Sequence, residues 1–292
     1  MPKIDFSMIV HNGQPFFELN MRNIYPFANR IIVIEGPVRR YREMGFGQSN
    51  DGTLEAIAAF PDPEHKIVFE SGFFEEKDDM VRRQERHFDG QWVWCCDADE
   101  FFHHDDMRKV LAWLERHPEC YSMSFRLLSF YGGFDRTIGG FEADFETHRL
   151  FRLSPGARWL THRPPTLVWA PTGRTCREMG HADGTRELGV RIHHYSHLPP
   201  KRMLHKARYY EMYSSSIIPN YFGQVYAPWL SAKTDAERLA VERQFNGVQE
   251  FRPECRTDAY TVPFVGEHPE VIRLARPMIE AQIASEKREL GI

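Results

Sequence analysis

The 292-residue chain has no uncharged apolar run approaching the roughly 18 residues that a membrane span needs. Met1 leads into Pro2-Lys3-Ile4-Asp5, without the apolar stretch of a secretory signal. Cysteine is sparse and odd in number: five residues, at 95, 96, 120, 176 and 255. None forms a Cys-x-x-Cys pair, and a bridge between adjacent Cys95 and Cys96 would be strained and rare. Neither sign of charge dominates. Lys and Arg number 37 against 41 Asp and Glu, a formal net charge of −4, which argues against a nucleic-acid binder with a globally basic surface and against an acidic disordered tail. Internal repeats and low-complexity linkers are also missing. These absences predict a reduced, soluble, cytoplasmic protein that binds no nucleic acid and has no transmembrane segment.

What is present is an alternation of strand-like and helix-like segments. Phe6–Val10, Ile31–Ile34, Lys66–Phe69 and Gln91–Cys96 are short apolar runs of the kind buried in parallel sheets. Between them lie helical patterns: one opened by Pro15, one capped by Asp51 or Thr53, and one from about Glu76. Asp105 or Asp106 is expected to cap a fourth helix, closed by Pro118. This order predicts an α/β fold with a mostly parallel sheet and helices on both faces, with ligands collecting at the carboxyl ends of the strands. Glu35 and Asp97 fall at such ends. Beyond Tyr121 the pattern loosens. Strand-like stretches lie near 122–130 and 148–153, glycine and proline follow to Arg191, and helices are expected at Lys201–Tyr213, Ala232–Phe245 and Pro269–Lys287. The expected division is a catalytic domain over 1–215 and a helical extension over 216–292.

The strongest chemical feature is Asp97-Ala98-Asp99-Glu100, directly after the Trp-Val-Trp-Cys-Cys strand. In an extended segment alternate residues share a side, so both aspartates are expected to face the ligand crevice. Two hard carboxylates there suit Mg²⁺ or Mn²⁺ shared with substrate phosphates. An acidic turn capping the next helix is the plainer reading for Asp105 and Asp106. A second cluster, Arg191–Arg208, carries five Lys or Arg and no acid, with His193, His194 and His197 at its start. Its basic residues also fit the solvated face of a helix. His103-His104 is read as a helix entry rather than a zinc site, because adjacent histidines seldom converge on one ion. Trp159, His162, Arg163, Pro164 and Pro165 fit either an acceptor cleft or simple packing.

These residues resemble GT-A-fold glycosyltransferases, particularly the family-2-like group that uses nucleotide-activated sugars. Met8-Ile9-Val10-His11-Asn12 is similar to the first-strand motif of that group, and Ile32-Val33-Ile34-Glu35 to the second strand. Ser49-Asn50-Asp51-Gly52-Thr53 matches the Ser-x-Asp-Gly-Thr turn, and Trp94–Phe101 the strand bearing Asp-x-Asp. Two departures stand out: Gly36–Gln48 is inserted, and His11 replaces the usual Lys. The resemblance implies a Rossmann-like GT-A sheet, a divalent Mn²⁺ or Mg²⁺, and a nucleotide-diphosphate sugar donor, with a UDP-sugar favoured. It implies Asp99 as a metal ligand and Asp97 as a metal or ribose contact. His194 or His193 would be a late metal ligand, and Glu35, Asp51, Arg83, Lys201 and Lys206 would contact the donor. An inverting reaction would also need a carboxylate base, for which position favours Asp183 or Glu187 over Asp144 and Glu146. The acceptor would be a hydroxyl on a glycan, a lipid-linked sugar or a cell-surface polysaccharide precursor. Peripheral membrane contact by the segment after 215 is left open. Two alternatives stand beside this reading: a nucleotidyltransferase, disfavoured because His11–Pro15 has one glycine and no Lys or Arg, and a binding protein of the same fold without turnover.

Overall fold

The computed structural model describes residues 2–213, 218–252 and 260–292. Its first part runs β1 (Ile4–Val10), α1 (Phe16–Ile24), β2 (Ala28–Glu35), α2 (Arg39–Glu43), α3 (Thr53–Ala59), β3 (Ile67–Ser71), α4 (Lys77–Gln84), β4 (Trp92–Cys95), β5 (Glu100–Phe101) and α5 (His104–Arg116). There follow β6 (Ser122–Tyr131), β7 (Arg136–Ile138), α6 (Phe141–Asp144), β8 (Glu146–Arg152), β9 (Arg158–His162), β10 (Pro165–Trp169) and β11 (Arg174–Thr175). The chain continues through α7 (Cys176–Met179), β12 (His181–Asp183), α8 (Gly184–Leu188), β13 (Arg191–His197), α9 (Pro200–Tyr213), α10 (Ala227–Ser231), α11 (Asp235–Gln244), β14 (Thr261–Pro263) and α12 (Glu270–Leu290). Two compact units result, one of residues 1–125 with 146–191 and the other of 126–145 with 192–292.

In the first unit β1 is the inner strand of a parallel group. It pairs with β2 on one side (Met8↔Val33) and β4 on the other (Phe6↔Trp94), while β2 pairs with β3 (Ile32↔Val68). Strands buried on both faces read as mostly apolar, and Ile4, Phe6, Met8, Val10 and Ile31–Ile34 are all buried, with Asp5 and Ser7 as buried polar residues of β1. β8 lies antiparallel to β4, with Leu150 opposite Trp94. The ring of Trp94 stacks between Phe6 and Phe125, at 5.5 and 5.8 Å. Such aromatic pairs add roughly 0.5–1.5 kcal/mol each beyond the area they bury. Helix α1 buries Phe16, Phe17, Met21 and Ile24, and with them two asparagines, Asn20 and Asn23. Asparagine seldom sits on a buried helix face without a polar purpose.

The second unit takes up β6 from Arg126 onward, with β7 paired to it (Phe130↔Thr137) and β14 paired to β7 (Ile138↔Thr261). Its core gathers Tyr131, Val225, Tyr226, Trp229 and Phe251 around helices of the C-terminal part. Buried Glu242 accepts from Trp229 Nε1 at 2.7 Å, from the Thr261 N–H at 3.2 Å and from Thr261 Oγ1 at 2.5 Å, which gives a buried acid three donors.

Several local expectations change. Residues 154–190, read as irregular, contain the antiparallel trio β9, β10 and β11, and also β12, which pairs parallel with the start of β6. Arg191–His197, read for its charges, is strand β13. Asp105 and Asp106 do not cap α5. His103 holds the cap position and the two acids lie in the first turn, where they complement the helix dipole. Asp51 does not hold the cap position of α3 either, because Gly52 takes it at φ 94°. His103-His104 is a helix entry as expected, with His104 Nε2 3.0 Å from the Asn23 carbonyl.

Candidate functional site

The order β3-β2-β1-β4 reverses direction at β1: the chain builds outward through β2 and β3, then crosses back to lay β4 on the other side. In open parallel sheets the crevice opens at such a reversal, beyond the carboxyl ends of the two strands that flank it. Here those ends are His11–Gln14 after β1 and Cys96–Glu100 after β4.

After β1 the backbone turns sharply. Asn12 has φ 53°, and a Cβ on Gly13 would stand 2.6 Å from Val10 Cγ2 and 2.9 Å from Phe17 Cβ, so only glycine fits. Three successive N–H groups then point away from the sheet, and the Ser49–Thr53 turn receives all three. Asn12 donates to Ser49 Oγ at 2.8 Å, Gly13 to Thr53 Oγ1 at 2.9 Å and Gln14 to Asp51 Oδ2 at 2.8 Å. Asp51 uses its other oxygen on its own turn, accepting from Thr53 N at 3.1 Å and Thr53 Oγ1 at 2.6 Å. Glu35, fully buried at the end of β2, accepts from Ser49 N–H at 2.8 Å through Oε1 and from Ser71 Oγ at 2.6 Å through Oε2. The two acids expected to touch the donor therefore spend their oxygens holding the turn against the sheet. Glu35 is fully buried in this arrangement, with one donor on each carboxylate oxygen. The two departures from the family pattern meet here as well. The His11 ring packs on Tyr41 and Phe46 of the insertion, at 4.7 and 6.1 Å, and its Nε2 lies 2.9 Å from the Gly47 carbonyl.

After β4 the chain does not stay extended. Glu100 N–H donates to the Asp97 carbonyl at 3.0 Å, closing a turn through Ala98 and Asp99. The two aspartates differ in exposure: the Asp97 side chain is 54% exposed, while Asp99 is buried. The Asp97 carbonyl also accepts from Asn20 Nδ2 at 2.8 Å, and the Phe102 carbonyl from Asn23 Nδ2 at 3.2 Å, which is the purpose of the two buried asparagines of α1. Arg149 on β8 completes the turn. Its Nε donates to Glu100 Oε2 at 2.7 Å, its Nη2 to Glu100 Oε1, and the same Nη2 to Asp97 Oδ2 at 3.0 Å. Burial pushes the Glu100 carboxyl up to about 7, against the pull of Arg149. Burial works against the Arg149 charge too, but Glu100 and Asp97 together raise it, so the guanidinium is the fixed charge of the group.

The remaining predicted residues are more dispersed. Arg83 lies on the exposed side of α4, 4.0 Å from Glu70. Asp183 caps α8 by accepting from Arg186 N–H at 3.0 Å, and Glu187 is exposed on that helix. Trp159 is buried against Phe151, which makes it packing. His162 follows it on β9. Its N–H donates to Asp78 Oδ1 at 2.8 Å, and burial and Lys77 bring its pKa down to about 4 against the opposing pull of Asp97 and Asp78. In the second unit, His193 is buried and stacks on Phe130 at 5.9 Å, and His194 Nδ1 lies 3.3 Å from Ser129 Oγ, which donates to Glu142 at 2.8 Å. Lys201 Nζ pairs with Glu289 and Lys206 Nζ donates to Ser196 Oγ. The thiols of Cys95, Cys120 and Cys176 are unbridged and pushed up by burial to about 12, 11 and 12, which leaves them inert, whereas Cys255 lies outside the described residues.

Sequence reasoning missed Arg149, Asn20 and Ser71. The available signal was an arginine just ahead of the apolar pair Leu150-Phe151 in a strand-like stretch, and an asparagine on an apolar helix face. Among the described residues no group of three or more His, Cys, Asp or Glu could hold a metal ion by itself, and no helix is long and apolar enough to cross a membrane.

Residues 47–162 match the family model described as glycosyl transferase family 2, a span that begins just ahead of the Ser49 turn and ends at His162. No curated protein matches the chain. Among solved structures, a mannosyltransferase of Pyrobaculum calidifontis in complex with GDP-Man and Mn²⁺ is 13% identical, with 86% of this chain and 82% of that one covered and a TM-score of 0.42. TarS 1-349 of S. aureus is 11% identical over 85% and 74% of the two chains, also with a TM-score of 0.42. Glucosyl-3-phosphoglycerate synthase of M. tuberculosis is 18% identical over 44% and 45%, with a TM-score of 0.31. The match to the glycosyl transferase family 2 model thus covers residues 47–162, and the mostly parallel sheet with helices on which it falls is consistent with a GT-A, Rossmann-like fold.

Proposed function

We propose that the chain is a metal-dependent glycosyltransferase that moves a sugar from a nucleotide-diphosphate donor, a UDP-sugar first among them, to a hydroxyl acceptor on a glycan, a lipid-linked sugar or a polysaccharide precursor. The observation that carries this reading is the half-exposed Asp97 carboxylate beside Asp99 and Glu100, at the reversal point of the sheet. Aspartate oxygens are the donor type that Mg²⁺ and Mn²⁺ prefer, and one or two protein carboxylates suffice when water and phosphate supply the rest. The residues present thus fit an ion held jointly with a substrate. Asp97 and Asp99 would hold the ion, which would offset charge on the departing nucleoside diphosphate. His193 and His194 remain proposed as late ligands, and Asp183 and Glu187 as acceptors of the hydroxyl proton. Glu35 and Asp51 serve the donor indirectly, by fixing the floor of the crevice. A cytoplasmic setting suits the unbridged cysteines among the described residues.

The test is a thermal-shift screen of UDP-, GDP-, CMP- and dTDP-sugars with and without Mn²⁺, followed by mass spectrometry of the products. A ligand at 100 times its dissociation constant stabilises the native state by about 2.7 kcal/mol, so one nucleotide class should raise Tm clearly, and more so with Mn²⁺. Transfer or release of a nucleoside diphosphate from that donor is expected. A Tm shift with neither would mark a binding protein, and no shift with any nucleotide sugar would overturn the reading.

A further inference from the structure

We propose that Glu100 and Arg149 are positioning residues that fix the direction in which Asp97 presents its carboxylate to a divalent cation. This rests on the proposed metal role of Asp97. An aspartate on a turn, 54% exposed, would ordinarily sample several rotamers. Asp97 is instead held at its N–H, its carbonyl and one carboxylate oxygen. Its N–H donates to Glu100 Oε2 at 3.3 Å, its carbonyl accepts from Asn20 Nδ2 at 2.8 Å, and its Oδ2 accepts from Arg149 Nη2 at 3.0 Å. Arg149 Nε donates to the same Glu100 oxygen that holds the Asp97 N–H, so the three residues close a ring. The planar guanidinium has the fork that such a ring requires, and an ammonium does not.

Stability alone is a poor reason for this arrangement. Glu100 is 1% exposed and Arg149 11%, and a buried ion pair is often replaceable by apolar side chains at no loss. Glu100 alone would satisfy two guanidinium donors, yet the fork is placed so that it also reaches the exposed Asp97. The charges sum suitably as well: Asp97, Asp99 and Glu100 against Arg149 leave a formal −2, matched to one divalent ion. The ring also orients Asp97 before a cation arrives, so less ordering is left for the binding step.

The double variant Glu100→Gln/Arg149→Met removes one acid and one base, so the formal charge of the turn stays at −2 and only the tether is lost. Mn²⁺ affinity of the full-length protein, read from the electron paramagnetic resonance signal of free Mn²⁺, should weaken about tenfold, the low end of what loss of a ligand-orienting partner costs. Arg149→Lys, which keeps the charge without the fork, should weaken it about threefold. Thermal melts establish that each variant is folded. A folded double variant that binds Mn²⁺ within twofold of wild type overturns the proposal. Should the double variant not fold, Arg149→Lys decides by the same twofold criterion. Asp99→Ala separates the two levels: Mn²⁺ binding that it leaves untouched sinks the metal reading itself, whereas binding lost there but retained in the double variant sinks only the role of the ring.

Discussion

Glu35 and Asp97 occupy equivalent places, each at the carboxyl end of a parallel strand beside β1, yet they are built for opposite purposes. Glu35 is fully buried, and both its oxygens are committed to Ser49 and Ser71. Asp97 has one oxygen tethered to Arg149 while its side chain is half exposed. Position in the sheet predicts that a carboxylate will stand near the crevice. Whether it meets a ligand or holds the scaffold depends on which donors surround it. The first acid is a latch and the second a contact, and mutation should separate them.

The largest effect is expected at Asp97. Asp97→Asn should lower turnover 100-fold or more, about 2.7 kcal/mol in barrier. Its Tm should stay near wild type, because an exposed ion pair contributes ~1 kcal/mol or less and asparagine can still accept from Arg149. Glu35→Ala should do the reverse: chemical denaturation should show a loss of about 3 kcal/mol, because a buried N–H and a hydroxyl lose a charged acceptor. Turnover of the molecules that remain folded should fall much less than in Asp97→Asn. A Glu35 variant of normal stability and no activity would erase the distinction. Smaller is the pH response of His148, buried on β8 with a pKa brought down to about 4, first by burial and then by His181 and Arg177. Between pH 6.5 and 4 the unfolded chain binds a proton that the native imidazole refuses, so stability is full above pH 6.5 and falls as pH drops through that window. His148→Gln should flatten that slope by about 2 kcal/mol in denaturant titrations at pH 4.5. Smallest is Ser49→Ala, which removes the hydroxyl that caps the Asn12 N–H and should cost about 1 kcal/mol with little change in KM for the donor.

Much of the first unit was legible because its physics is local. Parallel strands buried on both faces read as unbroken apolar runs, and Asn12-Gly13, Asp51-Gly52 and Asp89-Gly90 mark where the chain turns. The Ser49–Thr53 motif was visible as a motif, but its use was not. Its partners lie 37 to 40 residues away, and only the register of β1 and β2 brings them together. Arg149 was hidden for the same reason: it meets Glu100 and Asp97 across 49 and 52 residues, through the antiparallel pairing of β8 with β4. The strands β9, β10 and β11 escaped because each is five residues or fewer, and Pro165 opens one of them. Alternation over so few positions carries little signal. The even spacing of Asp97 and Asp99 suggested an extended segment, and the turn closed by Glu100 N–H corrected it.

The most direct measurement is Mn²⁺-dependent release of nucleoside diphosphate from the preferred sugar nucleotide, by wild type and by Asp99→Ala shown to be folded by its thermal melt. Release that rises with Mn²⁺ in wild type and is abolished in Asp99→Ala is the predicted result. Equal release by both proteins, or release indifferent to Mn²⁺ in wild type, would contradict a metal-assisted transfer at the acidic turn.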